Sequence, residues 1–148
     1  MISQFKIISP ETHKDFEKYF YFRWFNLRKD YNQKFGSEKD DLEKKSEHRM
    51  IIDKNNKIIG VGIIQMLDNN QSQIRYFAIK ETFRKVGLGR YLMEDLEKIA
   101  VNNNSNCIIL NARESAIEFY KKLDYKILKK TNLLFGEIQH YQMLKKII

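Results

Sequence analysis

A chain of 148 residues, 43% hydrophobic and 31% charged, has the size and make-up of a globular domain and can bury about 70% of its unfolded surface without staples. Its one cysteine, Cys107, excludes an intramolecular disulfide and a cysteine-based zinc cluster, and no apolar run approaches the ~20 residues that span a membrane. The net charge of +8 suits a polyanionic partner, either nucleic acid or a small ligand carrying several phosphates, and equally suits a lysine-rich solvated surface.

With one proline, no Gly/Ser-rich linker and no internal repeat, the expectation is a single domain over residues 1–148. Residues 1–10 lack a basic region followed by a long apolar stretch, so no signal peptide is expected. The triplets Asn70-Gln71-Ser72 and Asn103-Asn104-Ser105 read as chance in an Asn-rich chain, and the expected compartment is the cytoplasm. Residues 4–8 form a short predicted strand. Residues 11–27 carry Phe16, Tyr19, Phe20, Phe22, Arg23 and Trp24 at partly helical spacing and form a helix. A loop over 31–37 and a short charged helix over 38–45 follow. Residues 49–53 and 57–67 are β-rich segments around the turn signal Asn55-Asn56. Asp68-Asn69-Asn70 marks a second turn before a strand over 73–79.

The period then changes. Leu88, Leu92, Leu96, Ile99 and Ala100 fall on one face of a helix. Residues 107–110 form a short buried strand, and Ala116, Phe119, Tyr120 and Leu123 mark one face of a second helix over about 115–123. Two extended segments, 125–135 and 138–148, flank Gly136-Glu137. Strand–helix alternation in the middle with hairpins outside implies a mixed sheet covered by helices.

The segment richest in chemistry is Arg84-Lys85-Val86-Gly87-Leu88-Gly89-Arg90, between a strand and an amphipathic helix. Its two glycines let backbone N–H groups turn inward together, and the helix adds its positive end. Arg84, Lys85 and Arg90 add cationic side chains, so the segment is either an anion cradle or a plain strand-to-helix turn. It is no P-loop, because the Gly-x-x-x-x-Gly-Lys-Ser/Thr pattern is missing. It is no dinucleotide fingerprint either, because Leu92 stands where the third glycine belongs.

Arg84-x-x-Gly87-x-Gly89 resembles the acyl-CoA loop of the Gcn5-related N-acetyltransferase superfamily. Downstream, Asn111-Ala112-Arg113-Glu114-Ser115-Ala116-Ile117-Glu118-Phe119-Tyr120-Lys121-Lys122-Leu123-Asp124-Tyr125 resembles its second motif, a strand-end Asn followed by a helix bearing Ala and Phe-Tyr. Two positions depart from the pattern: Glu81 stands where many members have proline, and Asp124 where most have a helix-ending glycine. The resemblance implies an α/β fold of mixed α+β type, with a mostly antiparallel sheet of about seven strands flanked by helices. In it the fourth and fifth strands splay apart to admit the pantetheine arm of acetyl-CoA.

By the same resemblance, Phe77, Ala78 and Ile79 meet the pantetheine through their backbone groups. Arg84, Lys85, Val86, Gly87, Leu88, Gly89 and Arg90 hold the pyrophosphate, while Asn111, Ser115 and Lys122 contact the pantetheine or nucleotide end. Tyr120 matches the usual general acid, and the implied activity is transfer of acetyl from acetyl-CoA to an amine by direct attack on the thioester. A phenol of pKa ~10 can share its proton with a departing thiolate whose free pKa is near ~8.5. Without the motif, Tyr120 reads as a core residue.

No base can be copied over, because the strand reads Ile74-Arg75-Tyr76-Phe77 with no carboxylate. His140 and Glu137 are candidates beside the last turn, His48 is a weaker one, and a water relay is an equal alternative. The acceptor, a small molecule or peptide, is expected between the first helix, the fourth strand and the turn at Gly136, near Trp24, Arg28, Arg75 and His140. Arg23, Arg28 and Arg75 either favour an acceptor that carries a carboxylate or pair with Glu38, Asp41 or Glu43. No metal and no membrane partner is expected, nucleic acid is disfavoured because the lysines are dispersed, and a homodimer stays open. The competing functions are a catalytically silent acyl-CoA sensor and a basic nucleic-acid-binding module.

Overall fold

In a computed structural model, which describes residues 2–29 and 46–147, seven strands form one sheet in the order β1-β2-β3-β4-β5-β7-β6. They are β1 (Lys6–Ile8), β2 (Ser46–Ile52), β3 (Ile58–Leu67), β4 (Gln71–Ile79), β5 (Cys107–Arg113), β6 (Lys126–Leu134) and β7 (Ile138–Lys146). Every neighbouring pair is antiparallel except β4 and β5. A parallel pair needs a crossover, and here the crossover is helix α2 (Leu88–Asn102). Helix α1 (His13–Leu27) joins the first strands and the short α3 (Ile117–Lys121) follows β5. The mixed, mostly antiparallel sheet expected from the sequence is thus present, and the predicted loop and helix over 31–45 lie outside the described residues.

The two faces of the sheet are covered by different helices. Leu88, Leu92, Met93, Leu96 and Ala100 of α2 are buried against Ile64, Ile74, Ile108 and Met143. The opposite face packs Tyr19, Phe16 and Phe20 of α1 on Met50, Val61, Ile63 and Ala78. Thr12 and Asp15 close α1 with a reciprocal capping box, and the backbone N–H groups of Glu11 and Thr12 hold the Asp15 carboxyl below its usual range. Asp53 accepts from the N–H of Asn55 and Lys57 in the turn before β3. The last hairpin turns through Phe135, Gly136 and Glu137, the first two with positive φ (55° and 69°), and the Glu137 N–H donates to Leu134 O.

Several boundaries differ from the sequence expectation. β5 runs on through Asn111, Ala112 and Arg113 because these residues, two of them polar, pair with Gln142, Tyr141 and His140 of β7. The predicted helix over 115–123 begins instead as a tight turn over Glu114–Ala116. Residues 2–4 form a short 3-10 turn and β1 starts only at Lys6. Asp124 takes a left-handed conformation, φ 73°, at the place where a helix usually ends on glycine.

Candidate active site

Two features of β4 open the sheet. Gln71–Ile74 pair in parallel with Cys107–Leu110, and the pairing then stops although both strands continue. Hydroxyls of Ser72 and Ser105 hydrogen-bond to each other at the closed end. Just past the last pair, the register with β3 slips: Arg75 faces Ile63 and Ala78 faces Val61, so Tyr76 and Phe77 together oppose Gly62. Tyr76 sits at φ 49°. A bulge of this kind bends a strand and re-aims its side chains. Here it packs Tyr76 and Ala78 on the α1 face and Phe77 on the α2 face.

The divergence leaves a cleft of about 320 Å³ between β4 and β5, walled by Phe77, Asn111, Ala112, Ala116 and Tyr120 and, toward α1, by Leu27, Arg28, Arg75, Tyr76 and Arg113. His140 and Leu134 close it from the last hairpin. Tyr120 is buried among Phe77, Phe119 and Tyr125. That burial raises its phenol well above the ordinary value, with the charge of Arg113 acting in the opposite sense. Tyr125 donates to Glu97 at 2.7 Å, and Glu97 also meets Lys145 at 3.2 Å, tying α2 to β7 behind Tyr120.

At the C-terminal end of β4 the chain enters the loop singled out in the sequence. Lys85 and Gly87 both have positive φ, 65° and 90°. Gly87 stands at the N-cap of α2 with no side chain capping it. The first backbone bond of the helix runs from Tyr91 N to Gly87 O, so the N–H groups of Leu88, Gly89 and Arg90 have no partner within the helix. Arg84, Lys85, Val86 and Arg90 are exposed around them. These free donors, the helix end and the cations fit a pyrophosphate. The two glycines serve different ends. Gly87 supplies the left-handed turn, while a Cβ on Gly89 would stand 2.9 Å from the Phe119 ring, so Gly89 lets α2 approach α3.

Other predicted residues fall as follows. Lys122 lies beside the loop, its carbonyl accepting from Arg90 at 3.5 Å, and Ser115 is exposed in the turn after β5. Ile79 C=O accepts from Arg84 Nε at 3.1 Å. Lys80 N bonds Ile59 O across to β3, so by the alternation of an antiparallel ladder Ala78 also directs its backbone at β3 and Ile79 directs its own away. The backbone of Ala78 therefore does not face the cleft. Trp24 is not among the residues lining the cleft; it packs on Tyr21, farther up α1.

Of the base candidates, His48 is held by the Tyr19 hydroxyl at 2.9 Å and by the Phe16 ring, away from the cleft. Glu137 is exposed in the hairpin turn. His140 alone of the three lines the cleft, and its Nδ1 lies 3.0 Å from the carbonyl of Ile138. A carbonyl only accepts, so Nδ1 carries the proton and Nε2 keeps its lone pair. Burial lowers the His140 pKa below its usual value; the Ile138 bond opposes this and the Arg113 charge adds to it. Arg113, a residue the sequence did not mark for the site, is anchored by Nη2 donating to Leu27 O at 3.3 Å.

The open parallel pair, the bulged strand and the glycine loop at a helix start sit in a chain whose class comparison with known proteins identifies as a GNAT acetyltransferase fold. Residues 9–125 match the Acetyltransferase (GNAT) family, and the chain belongs to that family. It is 31% identical over 140 residues to the "Uncharacterized N-acetyltransferase YjcF" of Bacillus subtilis (strain 168), spanning 95% of this chain and 99% of that protein. Solved structures share the fold at lower identity. An aminoglycoside 6'-N-acetyltransferase complexed with coenzyme A superposes with a TM-score of 0.80 at 15% identity, covering 97% of both chains. A GNAT family acetyltransferase from Elizabethkingia anophelis with acetyl-CoA bound gives 0.77 at 16% identity, covering 97% of this chain and 99% of that one. Among the described residues no helix is long and apolar enough to cross a membrane.

Proposed function

We propose that the chain is an acetyl-CoA-dependent N-acetyltransferase acting on the amine of a small molecule or peptide within one domain. The observation that carries this is the cleft left where β4 parts from β5 after Ile74 and Leu110, with Tyr120 in its wall and the Gly87 loop at the end of β4. Acetyl-CoA supplies an activated acyl group on a thiol leaving group. Leu88, Gly89 and Arg90 offer backbone N–H groups to its pyrophosphate, with Arg84, Lys85 and Arg90 adding charge. Phe77 and Asn111 flank the path of the pantetheine. The backbone of Ile79 faces the same side, although its carbonyl is already engaged by Arg84.

Tyr120 holds a proton where the thiolate develops. Transfer from a phenol of ordinary pKa ~10 to a thiolate near ~8.5 is uphill by ~2 kcal/mol, and burial of Tyr120 raises that difference further. Its main contribution is therefore a hydrogen bond donated to the developing anion, which the nearby Arg113 charge assists. His140 Nε2 is the group in the cleft able to accept the proton that the amine loses on attack.

The test is twofold. Acetyl-CoA at about a hundredfold excess over its dissociation constant stabilises the fold by about 2.7 kcal/mol, read as a raised melting temperature. An amine panel then gives acceptor-dependent thiol release. An unchanged melting curve at millimolar acetyl-CoA overturns the proposal. Stabilisation with no thiol release across the panel leaves a CoA-binding sensor instead.

A further inference from the structure

Packing alone aims the Tyr120 side chain. No group among the described residues takes a hydrogen bond from its hydroxyl. Three rings surround it, with centroids 6.3 Å away in Phe77, 5.0 Å in Phe119 and 5.9 Å in Tyr125. Apolar contact is non-directional, so the ring is placed only as well as its neighbours are.

Of the three neighbours, Tyr125 is the one with a polar anchor. It is 1% exposed, and its hydroxyl donates to Glu97 Oε2 at 2.7 Å. Lys145 Nζ donates to both Glu97 oxygens at 3.2 Å and lies 5.7 Å from the Tyr125 ring centroid. Hydrogen bonds to a charged acceptor are the short, strong class. Burial raises the Tyr125 phenol and the Glu97 charge adds to this, so Tyr125 keeps the proton that it donates.

Tyr125 also grips Tyr120 through the backbone. Its N–H donates to Tyr120 O at 3.1 Å, while the Asp124 N–H donates to Lys121 O at 3.0 Å. These are the two bonds of a Schellman helix end, made by the left-handed Asp124, φ 73°. The turn brings both the amide and the ring of Tyr125 back onto Tyr120. Glu97 belongs to α2, whose first turn fits the pyrophosphate, and Lys145 belongs to β7. One carboxylate therefore joins the cofactor helix to the residue behind Tyr120.

Resting on the reading of Tyr120 as hydrogen-bond donor to the departing thiolate, we infer that Glu97 is a positioning residue for that step. Through Tyr125 it holds the Tyr120 hydroxyl at the thioester end of the cleft. Glu97 lines no part of the cleft itself, so its effect passes through Tyr125. An error of about 1 Å in such an alignment can cost about 10²-fold in rate.

A double-mutant cycle on turnover tests this. Thiol release from acetyl-CoA is followed with the most active of ethanolamine, β-alanine, tyramine and L-leucinamide. Glu97→Ala should lower kcat about tenfold or more, with the KM for acetyl-CoA within about twofold of wild type. Tyr125→Phe keeps the ring but loses the anchor, and should lower kcat about three- to tenfold. Glu97→Gln, whose amide oxygen still accepts, should return turnover to within about threefold of wild type. In a Tyr120→Phe background, Glu97→Ala and Tyr125→Phe should each change kcat by less than about twofold, because the hydroxyl they place is gone.

A bridge that only stabilises the fold lowers activity by the same factor in both backgrounds, and that equality overturns the inference. So does an unchanged kcat in both single variants, or a loss carried by the KM for acetyl-CoA, which would act through the pyrophosphate loop. Where circular dichroism shows Glu97→Ala unfolded, Tyr125→Phe completes the cycle. Thiol release as fast in Tyr120→Phe as in wild type removes the donor reading and this inference with it. Acetyl-CoA binding with no thiol release from wild type strikes the acetyltransferase reading itself.

Discussion

The two ends of the cleft are built on different physical terms. At the α2 end, the groups that fit the cofactor belong mainly to the backbone: left-handed Lys85 and Gly87, three free N–H groups, and the close approach that Gly89 allows between α2 and α3. At the α1 end the wall is made mainly of side chains, with arginines stacked on aromatic rings beside a strand bulge. A backbone site tolerates varied side chains but demands glycine at fixed spacing. A side-chain site is free to change its specificity while the fold is kept. One family fold can thus hold one cofactor and serve many acceptors.

The contrast is put under most strain at Tyr120, which stands where the two ends meet. Tyr120→Phe should lower turnover by about 10²- to 10³-fold, as when one donor to a developing anion is removed, while the KM for acetyl-CoA changes little; turnover equal to wild type would make Tyr120 a core residue alone. Arg23→Ala comes next. Arg23 is fully buried, stacked on Tyr19, Phe20 and Tyr76 and donating to the Tyr19 hydroxyl at 3.1 Å. Its truncation should cost about 2 to 4 kcal/mol in chemical denaturation. It should also loosen acceptor binding while leaving CoA binding largely intact.

The glycine pair gives a smaller and more discriminating effect. Gly87→Val places a β-branched residue at φ 90° and should cost about 1 to 2 kcal/mol of stability, with CoA affinity falling at least tenfold or so as the N–H cradle distorts. Gly89→Val instead presses on Phe119 and should cost about 1 to 3 kcal/mol through overpacking. Equal CoA affinity in wild type and Gly87→Val, measured by titration, would remove the backbone half of the contrast.

A pH dependence is the mildest of these effects. His140 has a folded pKa below that of the unfolded chain, so the unfolded state takes up its proton first as pH falls. Its contribution is unchanged above pH ~6.5 and turns against folding as pH falls through and below that value. Wild type should therefore lose stability on acidification more steeply than His140→Gln. If His140 is also the base, activity should keep its rising limb at a midpoint below ~6.5; parallel stability curves would mean that His140 is not perturbed.

The difference between the two ends also explains what could be read from the sequence. Glycine spacing and hydrophobic period are local signals, so the Gly87-Leu88-Gly89 loop, α2, the central strands and the mixed sheet were legible. The bulge at Tyr76 was not, since it carries no glycine or proline and arises from the slip against Gly62 across two strands. Nor was the length of β5, whose end carries polar Asn111 and Arg113 and continues by pairing with β7. Arg113 went unmarked for that reason, although its place two residues after Asn111 puts both on the same side of a strand. Trp24 was expected at the acceptor, but the spacing of one helix does not reveal which turn reaches the cleft: Leu27 and Arg28 line it and Trp24 does not. The alternation of the ladder likewise turns the Ala78 backbone toward β3, a fact only the register carries.

Whether the opening between β4 and β5 is the seat of the reaction is decided by a crystal structure of the acetyl-CoA complex. The pyrophosphate should lie on the N–H groups of Leu88, Gly89 and Arg90, the pantetheine between Phe77 and Asn111, and the thioester sulfur within hydrogen-bonding reach of the Tyr120 hydroxyl. Acetyl-CoA bound elsewhere, with β4 and β5 enclosing nothing and Tyr120 remote from the sulfur, would refute that placement.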